Sequence, residues 1–141
     1  MIEKQFTLYV ENRPGALAKV AKLLGSSRVN IEGVSIAVTG DVGLIQMILS
    51  HSRRTAQILS RAKIPYTVQK VSVLTLPNQP GALAKISEKL SARGININYL
   101  YCTCSADDRQ CTLVISGDRL NEIEQVGRSL AGPRTKASAH G

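Results

Sequence analysis

The chain has 141 residues, with 18 Lys and Arg against 10 Asp and Glu for a net charge of +8, and 43% of its residues are apolar. That length suits one average domain or two small ones, and a charged fraction of 20% is that of a folded globular chain rather than a disordered one. No run approaches the ~18 consecutive apolar residues of a membrane-spanning helix. The opening Met1-Ile2-Glu3-Lys4-Gln5 is not the basic patch of a signal peptide, so neither membrane insertion nor secretion is expected and a cytoplasmic location is.

Phe6, Leu8 and Val10 alternate with Thr7 and Tyr9, the period-two pattern of a half-buried strand. Asn12 to Gly15 breaks it. Leu17, Val20, Ala21 and Leu24 then mark one apolar stripe of a helix from about Pro14 to Leu24, closed by Gly25 and Ser26. Two aliphatic runs, 30–38 and 42–49, flank Gly40-Asp41 and predict a hairpin. Thr55, Ile58, Leu59 and Ala62 form a second helical stripe, ended by Pro65, and Tyr66 to Leu76 is a long extended run.

The same order then returns. Asn12-Arg13-Pro14-Gly15-Ala16-Leu17-Ala18-Lys19 recurs 66 positions later as Asn78-Gln79-Pro80-Gly81-Ala82-Leu83-Ala84-Lys85, and Asn30-Ile31 recurs as Asn96-Ile97. Ten of the twenty pairs aligned from position 12 to 31 are identical. The second copy has a strand 71–76, a helix 80–92 with Leu83, Ile86 and Leu90 inward, strands 96–104 and 110–116, and a helix 119–130. Its last strand is weak or missing, because Gly132 to Ala137 contains Pro133 and polar residues.

The predicted class is α+β: two tandem ferredoxin-like βαββαβ units, 1–70 and 71–133, with antiparallel sheets, both helices on one face, and a flexible tail at 134–141. Units of some 60–70 residues are marginal alone. They are expected to pack together and to associate further as a dimer, with the run 66–76 continuous and serving both sheets.

The three cysteines fit reduced, semi-buried thiols better than a disulfide framework. Cys102 and Cys104 share a strand face and Cys111 lies across the hairpin, but a closed zinc site wants a fourth ligand and none is near in sequence. His51 and His140 are far from the thiols, so no catalytic constellation, metal or cofactor is expected. Arg53, Arg54, Arg61 and Lys63 read as a solvated helix surface.

The repeated turn carries the chemistry. Pro14 and Pro80 suit the first helical turn, which needs no N–H from them. Gly15 and Gly81 let a ligand approach the first-turn amides, which favour a carboxylate or phosphate. Asn12, Asn30, Asn78 and Asn96 supply donors and acceptors nearby.

Glu11-Asn12-Arg13-Pro14-Gly15-Ala16-Leu17 with Val29-Asn30-Ile31-Glu32 resembles the signature of ACT domains, small regulatory modules of amino-acid metabolism, and the second copy repeats it. The resemblance implies domains paired edge to edge and a free amino acid bound at an interface near the glycine turn. It places ligand contacts on Asn12 and Asn30, and on Asn78 and Asn96. The rest of the candidate site is Arg13, Pro14, Gly15, Ala16, Leu17 and Ile31, with Gln79, Pro80, Gly81, Ala82, Leu83 and Ile97. Serine-binding members carry a His two residues before the turn Asn, where this chain has Val10 and Leu76, so no particular amino acid is named. The resemblance also implies a sensor or an enzyme's regulatory subunit.

RNA binding is the alternative, because RNA-recognition domains share this topology and Tyr9 stands where a stacking ring belongs. The run Val42-Gly43-Leu44-Ile45-Gln46-Met47 lacks the second aromatic platform, so a nucleic-acid partner is not expected.

Overall fold

A computed structural model describes residues 1–104 and 106–130. The tail and Gly132 to Ala137 lie outside these. The elements run β1 (Ile2–Glu11), α1 (Ala16–Ser26), β2 (Ile31–Thr39), β3 (Val42–Leu49), α2 (Ser52–Arg61), β4 (Tyr66–Pro77), α3 (Ala82–Ala92), β5 (Ile97–Thr103), β6 (Gln110–Gly117) and α4 (Leu120–Leu130). By contacts the chain divides into two compact units, Glu3–Lys70, and Val71 onward together with Met1–Ile2. β4 is continuous through residue 70.

In the first unit the strand order is β2-β3-β1-β4, the ferredoxin-like arrangement. Antiparallel register places Phe6 opposite Met47 and Leu8 opposite Ile45, and residues directly opposite share a face. That face meets the helices, where Val20, Leu24 and Leu59 close the core. Truncating Leu8 or Leu24, both fully buried, to Ala would cost about 2–5 kcal/mol. Two stripe positions behave otherwise: Leu17 is 41% exposed and Ala62, which caps α2, is exposed.

The second unit repeats the pattern with β4-β6-β5. Leu74 opposes Leu113 and Leu76 opposes Cys111. Leu74 and Leu113 pack with Ile86, Leu90, Ile115, Ile123 and Val126. Helix α4 lies so close to β4 that a Cβ at Gly127 would meet Leu74 Cδ2 at 2.6 Å, which accounts for glycine in mid-helix. Leu83, expected inward, is 46% exposed.

Among the described residues, the start of the chain lies beside β4 in this unit. Met1 and Val73 exchange both backbone hydrogen bonds, Met1 N to Val73 O at 2.7 Å and Val73 N to Met1 O at 2.8 Å. Met1–Ile2 thus occupies the fourth-strand position beside β4, on the side away from β6.

The cysteines correct the expectation of free, semi-buried thiols. Cys104 and Cys111 form a disulfide, with Cα atoms 4.7 Å apart, and Cys102 is free and exposed. The register explains the bond: Thr103 opposes Thr112, so the next pair across the hairpin is Cys104 and Cys111.

Candidate ligand site at the paired glycine turns

Each repeat of Asn-x-Pro-Gly-Ala folds as the same tight turn. The Ala16 N–H donates to Arg13 O at 3.3 Å, and Gly15 has φ +86° and ψ −10°. Those are the angles of the third residue of a type II turn, with Pro14 before it at the position that favours proline. Gln79-Pro80-Gly81-Ala82 matches it, with Ala82 N to Gln79 O at 3.3 Å and Gly81 at φ +86° and ψ −7°. This corrects the placement of both prolines in the first helical turn: each helix starts two residues later and takes its glycine as N-cap. A Cβ on Gly15 or Gly81 would meet nothing within 4 Å, so left-handed backbone, not crowding, requires glycine there.

No side chain caps α1 or α3, and neither has an acid in its first turn. The amides of Leu17 and Ala18, and of Leu83 and Ala84, therefore lack an intrahelical acceptor at a dipole end that favours an anion. Exposed Leu17 and Leu83 stand beside these amides. Each helix thus begins with unspent donors next to an uncovered aliphatic side chain. Arg13 pairs with Glu11 at 2.8 Å on the open surface, where such a pair contributes little.

The two asparagines differ in their anchoring. Asn12 N donates to Asp41 O at 2.9 Å, at the Gly40-Asp41 tip of the β2–β3 hairpin. Asn78 N donates to Arg109 O and Asn78 Nδ2 to Asp108 O, both at 2.9 Å.

Asn30 sits elsewhere. Its N–H donates to Ser50 Oγ at 2.9 Å and its carbonyl accepts from Ser50 N at 3.1 Å, at the end of β3 opposite to Val42. Val42 neighbours Glu11, so Asn12 and Asn30 are separated along β3 by some eight residues, roughly 25 Å at a strand's rise. In the second unit Asn78 lies beside Gln110, whereas Asn96, with Nδ2 3.4 Å from Asn98 Oδ1, precedes Ile97 opposite Gly117. The structure gathers Asn12, Arg13, Pro14, Gly15, Ala16 and Leu17 at one end of a unit and leaves Asn30 and Ile31 at the other. It does the same with residues 78–83 against 96–97.

Among the described residues β2 is an edge strand, paired only with β3. Val34, Ile36 and Val38 on it are 47%, 50% and 55% exposed, although they oppose Met47, Ile45 and Gly43 on the helix-facing side. The aliphatic run flanking Gly40-Asp41 predicted this strand but not that these three side chains stay exposed.

Tyr9, 38% exposed, pairs across with Leu44, and Thr7 on the same face pairs with Gln46, so β3 offers no second ring for base stacking. Among the described residues no group of three or more His, Cys, Asp or Glu is placed to hold a metal, and no helix is long and apolar enough to cross a membrane.

Two ferredoxin-like units, each with an uncapped helix at a repeated Pro-Gly turn, define a tandem α+β fold. The sequence profile of the ACT domain pair matches residues 1–126, and the chain belongs to that family. ACT domains are a regulatory, non-catalytic domain type. A protein of Bacteroides thetaiotaomicron is similar in structure at a TM-score of 0.84 and 28% identity, over 92% of this chain and 88% of that one. The ligand-free regulatory subunit of aspartate kinase from Thermus thermophilus matches at 0.68 and 15%, over 94% and 96%. The regulatory subunit of aspartate kinase from Thermus flavus matches at 0.64 and 13%, over 92% and 95%. At those identities the two Thermus structures speak to the fold. No curated protein gives a significant match.

Proposed function

We propose that this chain is a non-catalytic sensor that binds a free amino acid at its Pro-Gly turns and signals through association, with a second copy of itself and with an enzyme of amino-acid metabolism. Membership of the ACT domain pair family supports the regulatory role. The uncapped first-turn amides suit an α-carboxylate, and Leu17 and Leu83 suit an apolar side chain.

The observation that carries the reading is the separation of Asn12 from Asn30. A small molecule that touches both draws them from two copies of the fold. Antiparallel pairing of the open β2 edge with the same edge of a second copy sets the start of one strand, Asn30, beside the end of the other, Thr39. There it meets the Gly40-Asp41 tip that holds the partner copy's Asn12 turn. The exposed Val34, Ile36 and Val38 become buried in the same step. Ligand and assembly are then linked by mass action, at the ~1–3 kcal/mol typical of allosteric coupling.

Calorimetric titration with the twenty amino acids tests binding, and failure of all of them at millimolar concentration overturns it. Composite sites have a sharper signature. Asn12→Ala and Asn30→Ala each abolish binding alone, whereas an equal mixture of the two variants regains part of it, because one site of every mixed dimer is intact. A mixture as inactive as its components refutes the shared site.

A further inference from the structure

The two hairpins that anchor the asparagine turns are built differently. In the first unit, pairing runs to Thr39 opposite Val42 across a two-residue turn, and Asp41 in that turn accepts from Asn12 N. In the second unit the ladder ends at Thr103 opposite Thr112, and the longer connection that follows supplies Asp108 and Arg109, whose carbonyls hold the Asn78 side chain and backbone. The Cys104–Cys111 bridge ties the two ends of that connection together. Cys111 is buried, at 8% exposure, whereas Cys104 is exposed and open to attack.

We infer that the Cys104–Cys111 disulfide is a redox-sensitive clamp on the Asn78 turn: reduction frees the connection carrying Asp108 and Arg109 and loosens that turn, leaving the Asn12 turn unchanged. The reductant is a dithiol. Its thiolate attacks Cys104 Sγ, the bridge breaks, and Cys111 leaves as a thiolate that takes up a proton. The second thiol then attacks the mixed disulfide and releases Cys104 as a thiol. Two electrons and two protons pass to the chain, and the reductant becomes a disulfide. Because a rigid loop loses less freedom on binding, the oxidised chain holds its ligand more tightly at the Gly81 turn. That consequence for affinity rests on the amino-acid-binding reading; the clamp itself does not.

The test is residue-resolved amide hydrogen exchange on the full chain, oxidised and then reduced with dithiothreitol. It is run in a Cys102→Ser background, because the exposed Cys102 thiol is a competing partner for exchange. Reduction is expected to speed exchange of the Asn78 amide by about tenfold or more while the Asn12 amide keeps its rate. Equal responses at the two amides, or none at Asn78, overturn the clamp. A chain with Cys104→Ser and Cys111→Ser should match the reduced protein and ignore dithiothreitol, and a response there also overturns it. If none of the twenty amino acids binds in either redox state, the amino-acid reading falls, while the contrast between Asn78 and Asn12 still decides the clamp.

Discussion

The Ser72 hydroxyl on β4 donates a 2.5 Å hydrogen bond to Oε1 of Glu124 on α4, a carboxylate buried under the second sheet. The Met1 ammonium lies 2.7 Å from the same oxygen. A buried carboxylate is tolerated because these donors replace the water it gave up.

Ser72→Ala removes one of these donors and should lower stability by about 1–3 kcal/mol. Chemical denaturation reads the loss as a lower midpoint at unchanged slope. An unshifted midpoint would show that the hydrogen bond contributes nothing net.

The glycine turns give a pair of matched variants. Since a Cβ at Gly15 or Gly81 meets no neighbour, alanine there carries the penalty of left-handed backbone alone, about 1–2 kcal/mol. Gly15→Ala and Gly81→Ala should therefore lower the melting temperature, and by similar amounts. A neutral result at either position would mean that the turn rearranges instead of straining.

Tyr101 governs the alkaline limb. Burial, and after it the neighbouring Tyr99, raises its pKa far above the ordinary tyrosine value of 10.0. The unfolded chain ionises first, so above about pH 10 it binds fewer protons than the folded chain, and stability falls as pH rises. Below that value the group makes no such demand. Tyr101→Phe keeps the ring and should flatten the loss in thermal melts taken from pH 9 to 11. Identical slopes for the two proteins would contradict the assignment.

Association is expected to run through β2. Ile36 is half exposed, so Ile36→Lys should leave monomer stability within about 0.5 kcal/mol yet place an unpaired charge in the proposed contact. Light scattering should find dimers of the parent chain and monomers of the variant. Dimers that survive the change would move the contact elsewhere.

The repeat of Asn12-Arg13-Pro14-Gly15 at Asn78 made both units and the βαββα order legible from sequence, because local periodicity and turn chemistry decide such elements. Pro14 and Pro80 were harder, since the same fixed φ suits a helix start and the second residue of a type II turn. Leu17 and Leu83 keep helical spacing with Val20 and Ile86, yet periodicity places a residue on a face without saying whether anything covers it. Nothing near Val73 announces Met1 as its neighbour; that pairing spans 72 residues and depends on the tertiary fold. The Cys104–Cys111 bond follows from strand register, and a one-residue slip would have set the two thiols apart. In the candidate site the turn residues were recognisable as a group, whereas the distance between Asn12 and Asn30 emerges only once the strands are laid side by side.

The seam between Met1 and Val73 also orders events during synthesis. Met1–Ile2 is made early but finds its place late, since the ribosome must deliver β4 before these residues have a strand to join, and β6 and α4 before Glu124 has been made. Closing so long a loop is entropically slow compared with the local hairpins β2–β3 and β5–β6. Limited proteolysis of ribosome-stalled chains should find the segment around Met1–Ile2 accessible until Val73 has emerged from the exit tunnel. The second unit therefore includes residues that precede the first, and a cut between the repeats would part Met1–Ile2 from the strand it pairs with.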